Sequence, residues 1–310
     1  MRIRVPASTS NLGPGFDSLG LALALYLTVD VEETPGPSGV FVFQGEGADE
    51  LSAAGEENLI LRAMKFAASR EECDLRPTRI KVRNEIPLAR GLGSSGAAII
   101  AGLSAFELIA GVRLSRDKLL RYATEIEGHS DNVAAALLGS FVVSCVSEQA
   151  EVLAAAIPWP DAVRAVAVIP DYRVRTEDAR RVLPTAVPLD AAVFNVQRTS
   201  LFTAAIASGR LELLREAMRD RLHQAYRAPL APGLREVLDL DAGELGSIPG
   251  HLGIALSGSG PTVVALATGN FASIANVVMR EFESCGTASA YRVLSVDTRG
   301  RTVEAETQEA

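Results

Sequence analysis

The residues most able to do chemistry in this chain lie in Pro87-Leu88-Ala89-Arg90-Gly91-Leu92-Gly93-Ser94-Ser95-Gly96-Ala97-Ala98. Upstream, Ile80-Lys81-Val82-Arg83 alternates as a half-buried strand, and downstream Ala97 to Ala110 contains no proline, so the spacing predicts a helix opening near Ser94 or Ser95. The first turn of such a helix points unpaired N–H groups and the positive end of its dipole at the loop. Glycines there let a backbone approach a bound anion closely. The pattern predicts a phosphate cradle, and a nucleotide is the first ligand to consider.

Taken alone, the same letters leave other readings open. They satisfy Gly-x-Gly-x-x-Gly, but the dinucleotide reading needs a second strand ending in an acidic residue about 20 positions on. Here Gly111-Val112-Arg113-Leu114-Ser115-Arg116-Asp117 leads into another helix instead. No Lys-Ser or Lys-Thr follows the glycines, so the loop is not a Walker A motif, and any metal must be held by other hydroxyls and carboxylates. A glycine turn that merely packs a helix on a strand fits this one segment equally well.

Three further blocks narrow the choice. The motif Pro-x-x-x-Gly-Leu-Gly-Ser-Ser-x-Ala resembles the phosphate loop of the GHMP kinases, which act on galactose, homoserine, mevalonate and phosphomevalonate. Pro6-Ala7-Ser8-Thr9-Ser10-Asn11-Leu12-Gly13-Pro14-Gly15-Phe16-Asp17 resembles the first motif of that family, and Gly253-Ile254-Ala255-Leu256-Ser257-Gly258-Ser259-Gly260-Pro261-Thr262 its last. Glu127-Gly128-His129-Ser130-Asp131-Asn132-Val133-Ala134 is similar to the Glu-Gly-His-Pro-Asp-Asn-Val-Ala block of the branch that phosphorylates homoserine. The segments from Thr176 to Pro184 and from Asp220 to Arg227 resemble that branch's substrate segments. Ser130 departs from the usual proline, and Gly96 from the usual alanine.

The resemblance implies ATP-dependent phosphorylation of L-homoserine to O-phospho-L-homoserine, on the way to threonine, with ATP as co-substrate and Mg2+ as cofactor. It implies a nucleotide site spanning Pro87, Leu88, Ala89, Arg90, Gly91, Leu92, Gly93, Ser94, Ser95, Gly96 and Ala97, with Ser95 and Glu127 on the metal. Asn11, Asp17, His129, Asn132, Arg180 and Arg227 are implied to bind the acceptor. Catalytic work is assigned to Asn132, which positions the acceptor, with Asp131 secondary: a loose transition state needs little early proton abstraction. Each residue also has a plainer reading. Asn11 and Asp17 are turn formers, His129 a capping residue, Glu127 a solvated helix-end carboxylate, and Arg180 and Arg227 surface arginines. Other acceptors such as threonine or mevalonate, and a non-catalytic ligand-binding protein on the same fold, are the competing functions. Retention of both Ser95 and Glu127 argues against the last.

The elements that must position these residues follow from the rest of the chain. With 310 residues, 48% of them hydrophobic, there is apolar material for one large core or two moderate ones. A net charge of -8 and no basic run argue against a nucleic-acid surface. The three cysteines, Cys73, Cys145 and Cys285, form no Cys-x-x-Cys pair and read as reduced thiols. A proline at position 6 precedes any apolar signal region, and Leu19 to Leu27 is too short to span a bilayer. The chain is therefore expected in the cytoplasm, with no membrane partner, and the resemblance implies a homodimer.

Mixed strands and helices without a regular βαβ series predict an α+β fold, and the resemblance makes it the two-lobed GHMP kinase fold with the active site between the lobes. Pro158-Trp159-Pro160 suggests a boundary, giving lobes 1–157 and 158–310. The expected elements include a polar loop from Ser8 to Asp17, helices over Asn58 to Ser69, Asp117 to Glu127 and Val133 to Leu138, a buried strand from Phe141 to Val146, and long helices over Leu189 to Ala207 and Leu211 to His223.

Overall fold

The computed structural model describes residues 1–33 and 40–305. Strands β1 (Arg2–Asn11), β2 (Gly15–Glu33), β3 (Val40–Gly45), β4 (Thr78–Asn84), β5 (Phe141–Val146), β6 (Val152–Ile157) and β11 (Thr302–Glu304) form a seven-stranded sheet. In it β11-β1-β2-β4-β3 lie side by side, while β5 pairs with β2 and β6 with β5. On the edge away from β1, strand β2 serves two partners because it is long: Leu19 to Leu21 pair with β5, and the stretch from Leu27 pairs with β4. Its apolar residues Leu19, Leu21, Leu23, Leu25, Leu27 and Val29 recur every second position and are all buried, the period-2 signal of a strand with one face on a core.

Strands β7 (Arg164–Pro170), β8 (His251–Leu256), β9 (Val263–Ala267) and β10 (Ser289–Leu294) form a second, antiparallel sheet in the order β10-β7-β9-β8. Alternation joins the two sheets. Ala165, Ala167, Val264 and Leu266 pack into the same core as Ile3, Leu23 and Phe106, whereas Val166, Val168, Val263 and Ala265 face Ile274, Val278 and Phe282 on the other side. The change of sheet falls in the connection between β6 and β7, around Pro158-Trp159-Pro160. The end of the chain, expected in the second lobe, instead returns to pair with β1 as β11.

Helices α1 (Ala48–Ala53), α2 (Leu59–Arg70), α3 (Ser94–Ala110), α4 (Arg116–Glu127) and α5 (Asp131–Leu138) accompany the first sheet. Helices α6 (Thr176–Arg181), α7 (Leu189–Ser208), α8 (Leu214–Ala217), α9 (Gln224–Arg227), α10 (Leu234–Asp239) and α11 (Phe271–Ser284) belong to the second half. Helix α3 is apolar nearly all round and buried along most of its length, as a helix clasped by other elements on several sides must be.

Three expectations are corrected. The polar stretch from Ser8 is not a loop as far as Asp17, since β1 continues to Asn11 and β2 begins at Gly15. Helix α5 opens at Asp131, two residues before the apolar run, because the Asp131 carboxylate accepts the N–H of Asn132 and starts the turn. The pattern from Leu211 to His223 is not one helix. A 3-10 turn (Leu211–Leu213) and short α8 end before the Asp220 side chain, which accepts the N–H groups of Leu222, His223 and Gln224. A side chain that offers the backbone these bonds competes with a continuous helix.

At Gly96 an added Cβ meets the Asn132 Cβ and Val133 Cγ1 at 3.4 Å, an ordinary contact distance. Gly96→Ala is therefore expected to raise stability by roughly 0.5–1 kcal/mol, through the smaller backbone entropy loss of alanine in a helix. Thermal unfolding checks it, and a fall in Tm would show the α3–α5 contact to be overpacked.

Candidate active site

The phosphate loop follows β4 and ends at the N-terminus of α3. Gly93 caps the helix with φ 68°, no side chain caps it, and its first N–H groups are left for a ligand. A Cβ on Gly93 would lie 2.1 Å from the Ser8 hydroxyl, and one on Gly91 would lie 2.2 Å from the Ser257 carbonyl. Both glycines are thus required by positive φ and by close neighbours. The loop is clamped from two sides: Ser8 N–H donates to Leu92 O at 3.1 Å, the Ser257 hydroxyl to Gly91 O at 2.6 Å, and Thr262 N–H to Arg90 O at 3.3 Å. Such bracing fixes the cradle before a ligand arrives.

Pro87 to Ser95 line one cavity of about 380 Å³. Gly96 and Ala97 do not line it and are buried on α3. The Arg90 guanidinium turns to Pro170 O and the Asp171 carboxylate, tying the loop to the end of β7. Leu92 is buried in the core as well as bordering the cavity.

At the cradle's mouth the Ser95 hydroxyl donates to Glu127 Oε1. Glu127 ends α4 and its side chain is only 9% exposed. Burial pushes its carboxyl above the usual range against the pull of His129, whose Nε2 lies 3.9 Å away, and of the Ser95 hydrogen bond. A shielded carboxylate and a hydroxyl beside a polyphosphate cradle are the hard oxygen donors that Mg2+ takes, with water completing its octahedron. A separate trio, Asp17, His129 and Asp131, has potential ligand atoms within 4.8 Å of one another. It suits magnesium less well. An imidazole is a poor ligand for so hard an ion, and these groups already have internal partners.

Those partners lie along the cavity beyond the loop. Arg180 on α6 grips Asp17 through two parallel hydrogen bonds of 2.7 and 3.1 Å. His129 Nδ1 bonds Asp131 Oδ1 at 2.6 Å. Burial alone would raise the Asp131 carboxyl, but the hydrogen bond and charge of His129 and the N–H of Asn132 outweigh it, so the group titrates below the ordinary range. The imidazole moves the opposite way: burial would lower it, and Asp131 and Glu127 more than compensate. Asp131 is accordingly a weak base.

Asn132 is anchored to β1, accepting from the Ser8 hydroxyl at 2.9 Å and donating to Ser10 Oγ at 3.1 Å. Asn11 donates to Gly258 O at 3.2 Å and accepts from Asp17 N–H at 3.1 Å. Its amide is spent on joining the first turn to the Ser257–Pro261 loop. Arg227, only 2% exposed, donates to Ala179 O and Gly258 O. Burial and then Arg180 bring its pKa down to about 10, which leaves it a cation at neutral pH.

All six residues implied to bind the acceptor line this one cavity, as do Ser95, Glu127 and Asp131. The sequence does not announce its other end, where Leu51, Ala54, Leu59, Ile60 and Val82 join Leu88 of the loop in an apolar wall. Apart from Leu88, no motif marks it, because these residues come from the end of α1, the start of α2 and β4, and each looks like ordinary core. Also missed were the hydrogen-bonding roles of Ser8 and Ser10, hidden in what reads as a polar loop.

Comparison with known proteins agrees with this geometry. The model for the N-terminal domain of GHMP kinases matches residues 58–140, and that for the C-terminal domain matches residues 202–283. The homoserine kinase of Thermus thermophilus is 45% identical over 268 residues, 86% of each chain, and that of Schizosaccharomyces pombe is 38% identical over 98% of each. Among solved structures, the homoserine kinase of Cytophaga hutchinsonii superposes with a TM-score of 0.82 at 26% identity, covering 97% of this chain and 96% of the other. An L. major mevalonate kinase matches with a TM-score of 0.66 at 14% identity over 96% of each chain, a likeness of fold alone. From the clamped phosphate loop to these full-length relatives, the observations agree: the chain belongs to the GHMP kinases, in the homoserine kinase branch.

Proposed function

We infer that this protein transfers the γ-phosphoryl group of ATP to the side-chain hydroxyl of L-homoserine, releasing O-phospho-L-homoserine and ADP. The observation that carries the reading is one cavity with three distinct regions: an apolar wall for a base, a helix N-terminus for phosphates, and paired opposite charges for a zwitterion.

The N–H groups at the start of α3 hold the polyphosphate, and Asp17 and Arg180 address the ammonium and carboxylate of the acceptor. Zwitterion binding exchanges the internal Asp17–Arg180 pair for two pairs of the same kind. Arg227 supplies a second cation for the carboxylate. The acceptor oxygen attacks phosphorus as the bond to the ADP oxygen breaks, and once that oxygen has bonded to phosphorus its proton passes to an oxygen of the transferred phosphoryl group and from there to solvent. Asn132, held between Ser8 and Ser10 and only weakly bonded to Asp131 at 3.5 Å, turns its amide to the acceptor, so positioning and electrostatics supply most of the acceleration. Mg2+, when bound by Ser95 and Glu127, neutralises charge on the transferred group. The proposed working form is a cytoplasmic homodimer with lobes 1–157 and 158–310, the second returning one strand, β11, to the sheet of the first. Among the described residues no helix is long and apolar enough to cross a membrane.

The test is ADP release with ATP, Mg2+ and homoserine, threonine or mevalonate as acceptor. Homoserine is expected to be turned over at least tenfold more efficiently than mevalonate, which has no ammonium and loses one charge-assisted hydrogen bond, and more efficiently than threonine, whose hydroxyl sits one carbon closer to the charged groups and out of line with the phosphate. A preference for mevalonate, which has a carboxylate but no ammonium, would overturn the assignment of Asp17.

A further inference from the structure

His223 is fully buried and does not line the cavity, yet its contacts lead into the acceptor site. Its Nε2 lies 2.7 Å from Gly13 O in the turn between β1 and β2. A carbonyl only accepts, so Nε2 carries the proton and Nδ1 is a bare acceptor. That nitrogen faces Arg227 Nη1 at 3.4 Å. The ring stacks on Phe16 with centroids 5.4 Å apart, and the Arg227 and Arg180 guanidinium carbons lie 5.2 and 5.6 Å from the same Phe16 ring. One imidazole thus touches the turn before Asp17 and one of the two arginines.

The surroundings hold it in place. Asp220, fully buried, accepts the His223 N–H and the Asn195 amide, which also donates to Pro14 O. Two successive carbonyls of the first turn, Gly13 and Pro14, are therefore gripped by side chains from the second half of the chain. Burial and the neighbouring Arg227 charge keep the imidazole neutral against the pull of Asp220. A protonated Nδ1 would set N–H against N–H.

We propose that His223 is a positioning residue for the acceptor: it fixes the first turn through Gly13 and orients the Arg227 guanidinium toward the carboxylate of an amino-acid substrate. The proposal rests on reading Arg227 as a carboxylate ligand, and its test separates the two ideas. KM for homoserine and for ATP, kcat and Tm are measured for the parent, Arg227→Lys, His223→Phe and the double variant. His223→Phe keeps a ring against Phe16 and loses both nitrogens. It is expected to raise KM for homoserine about tenfold, with KM for ATP changed less than twofold. The double variant is expected to fall clearly short of the product of the two single effects, because they share the Arg227 guanidinium, while the lost Gly13 bond keeps it somewhat above Arg227→Lys alone. Fully multiplicative effects, or equal rises in both KM values, would overturn the positioning role while leaving Arg227 as a ligand. An unchanged homoserine KM in Arg227→Lys would overturn both. If the phenylalanine variant does not fold, His223→Gln, which keeps an N–H for Gly13 O, is expected to give a smaller rise confined to homoserine, and an unchanged KM there would also refute the role.

Discussion

Glu127→Gln is expected to lower kcat by on the order of a hundredfold or more while moving Tm by no more than a few degrees, the loss typical of removing one group that stabilises transition-state charge. The split follows from where Glu127 sits. It closes α4 at the cavity edge and contacts the Ser95 hydroxyl and, more distantly, His129, so no packing layer depends on its charge. Burial already works against its ionised form, and a glutamine of the same shape removes that cost along with the anion. What the amide cannot do is hold a magnesium ion as a carboxylate does. The defect is expected to deepen at limiting Mg2+, and Ser95→Ala, for which water can substitute as a ligand, to fall between the variant and the parent. Near-parental turnover of Glu127→Gln at limiting Mg2+ would remove this residue from the metal site.

The phosphate loop was legible because its requirements are local. Two glycines with positive φ, a hydroxyl pair and an uncapped helix start are all encoded within a dozen neighbouring residues, and strand and helix periodicities flank them. The acceptor end was legible only through resemblance, since Asp17 and Arg180 are 163 positions apart and meet through a bidentate pair that no spacing announces. What stayed hidden was of two kinds. The apolar nucleotide wall is assembled from single residues of several elements, each indistinguishable from core. The break after Ala217 is caused by one side chain, Asp220, which outcompetes helix continuation by capping three backbone N–H groups. Hydrophobic periodicity runs through that break because Leu222 is apolar and falls at helical spacing from Leu214 and Met218. The return of β11 to the first sheet was equally invisible, as three residues carry too little pattern to choose a sheet.

Arg180→Lys and Arg227→Lys are each expected to raise KM for homoserine by about tenfold or more, as the loss of one charge-assisted hydrogen bond predicts, with KM for ATP little changed. A guanidinium grips a carboxylate through two parallel N–H groups, which a lysine ammonium cannot reproduce. Arg180 shows that geometry on Asp17, so the fork is already formed for a carboxylate to take. Arg227 differs in being braced by Ala179 O and Gly258 O. Its replacement also leaves those buried carbonyls short of a donor, so the larger effect is expected there, with some loss of Tm. Homoserine without its carboxylate, 3-aminopropanol, separates binding from bracing. It should be a poor acceptor for the parent, and Arg180→Lys should be hardly worse with it than the parent, because this alcohol has no carboxylate for the guanidinium fork to grip. If 3-aminopropanol suffers from Arg180→Lys as severely as homoserine does, the guanidinium acts through Asp17 and the shape of the site, and the carboxylate is bound elsewhere.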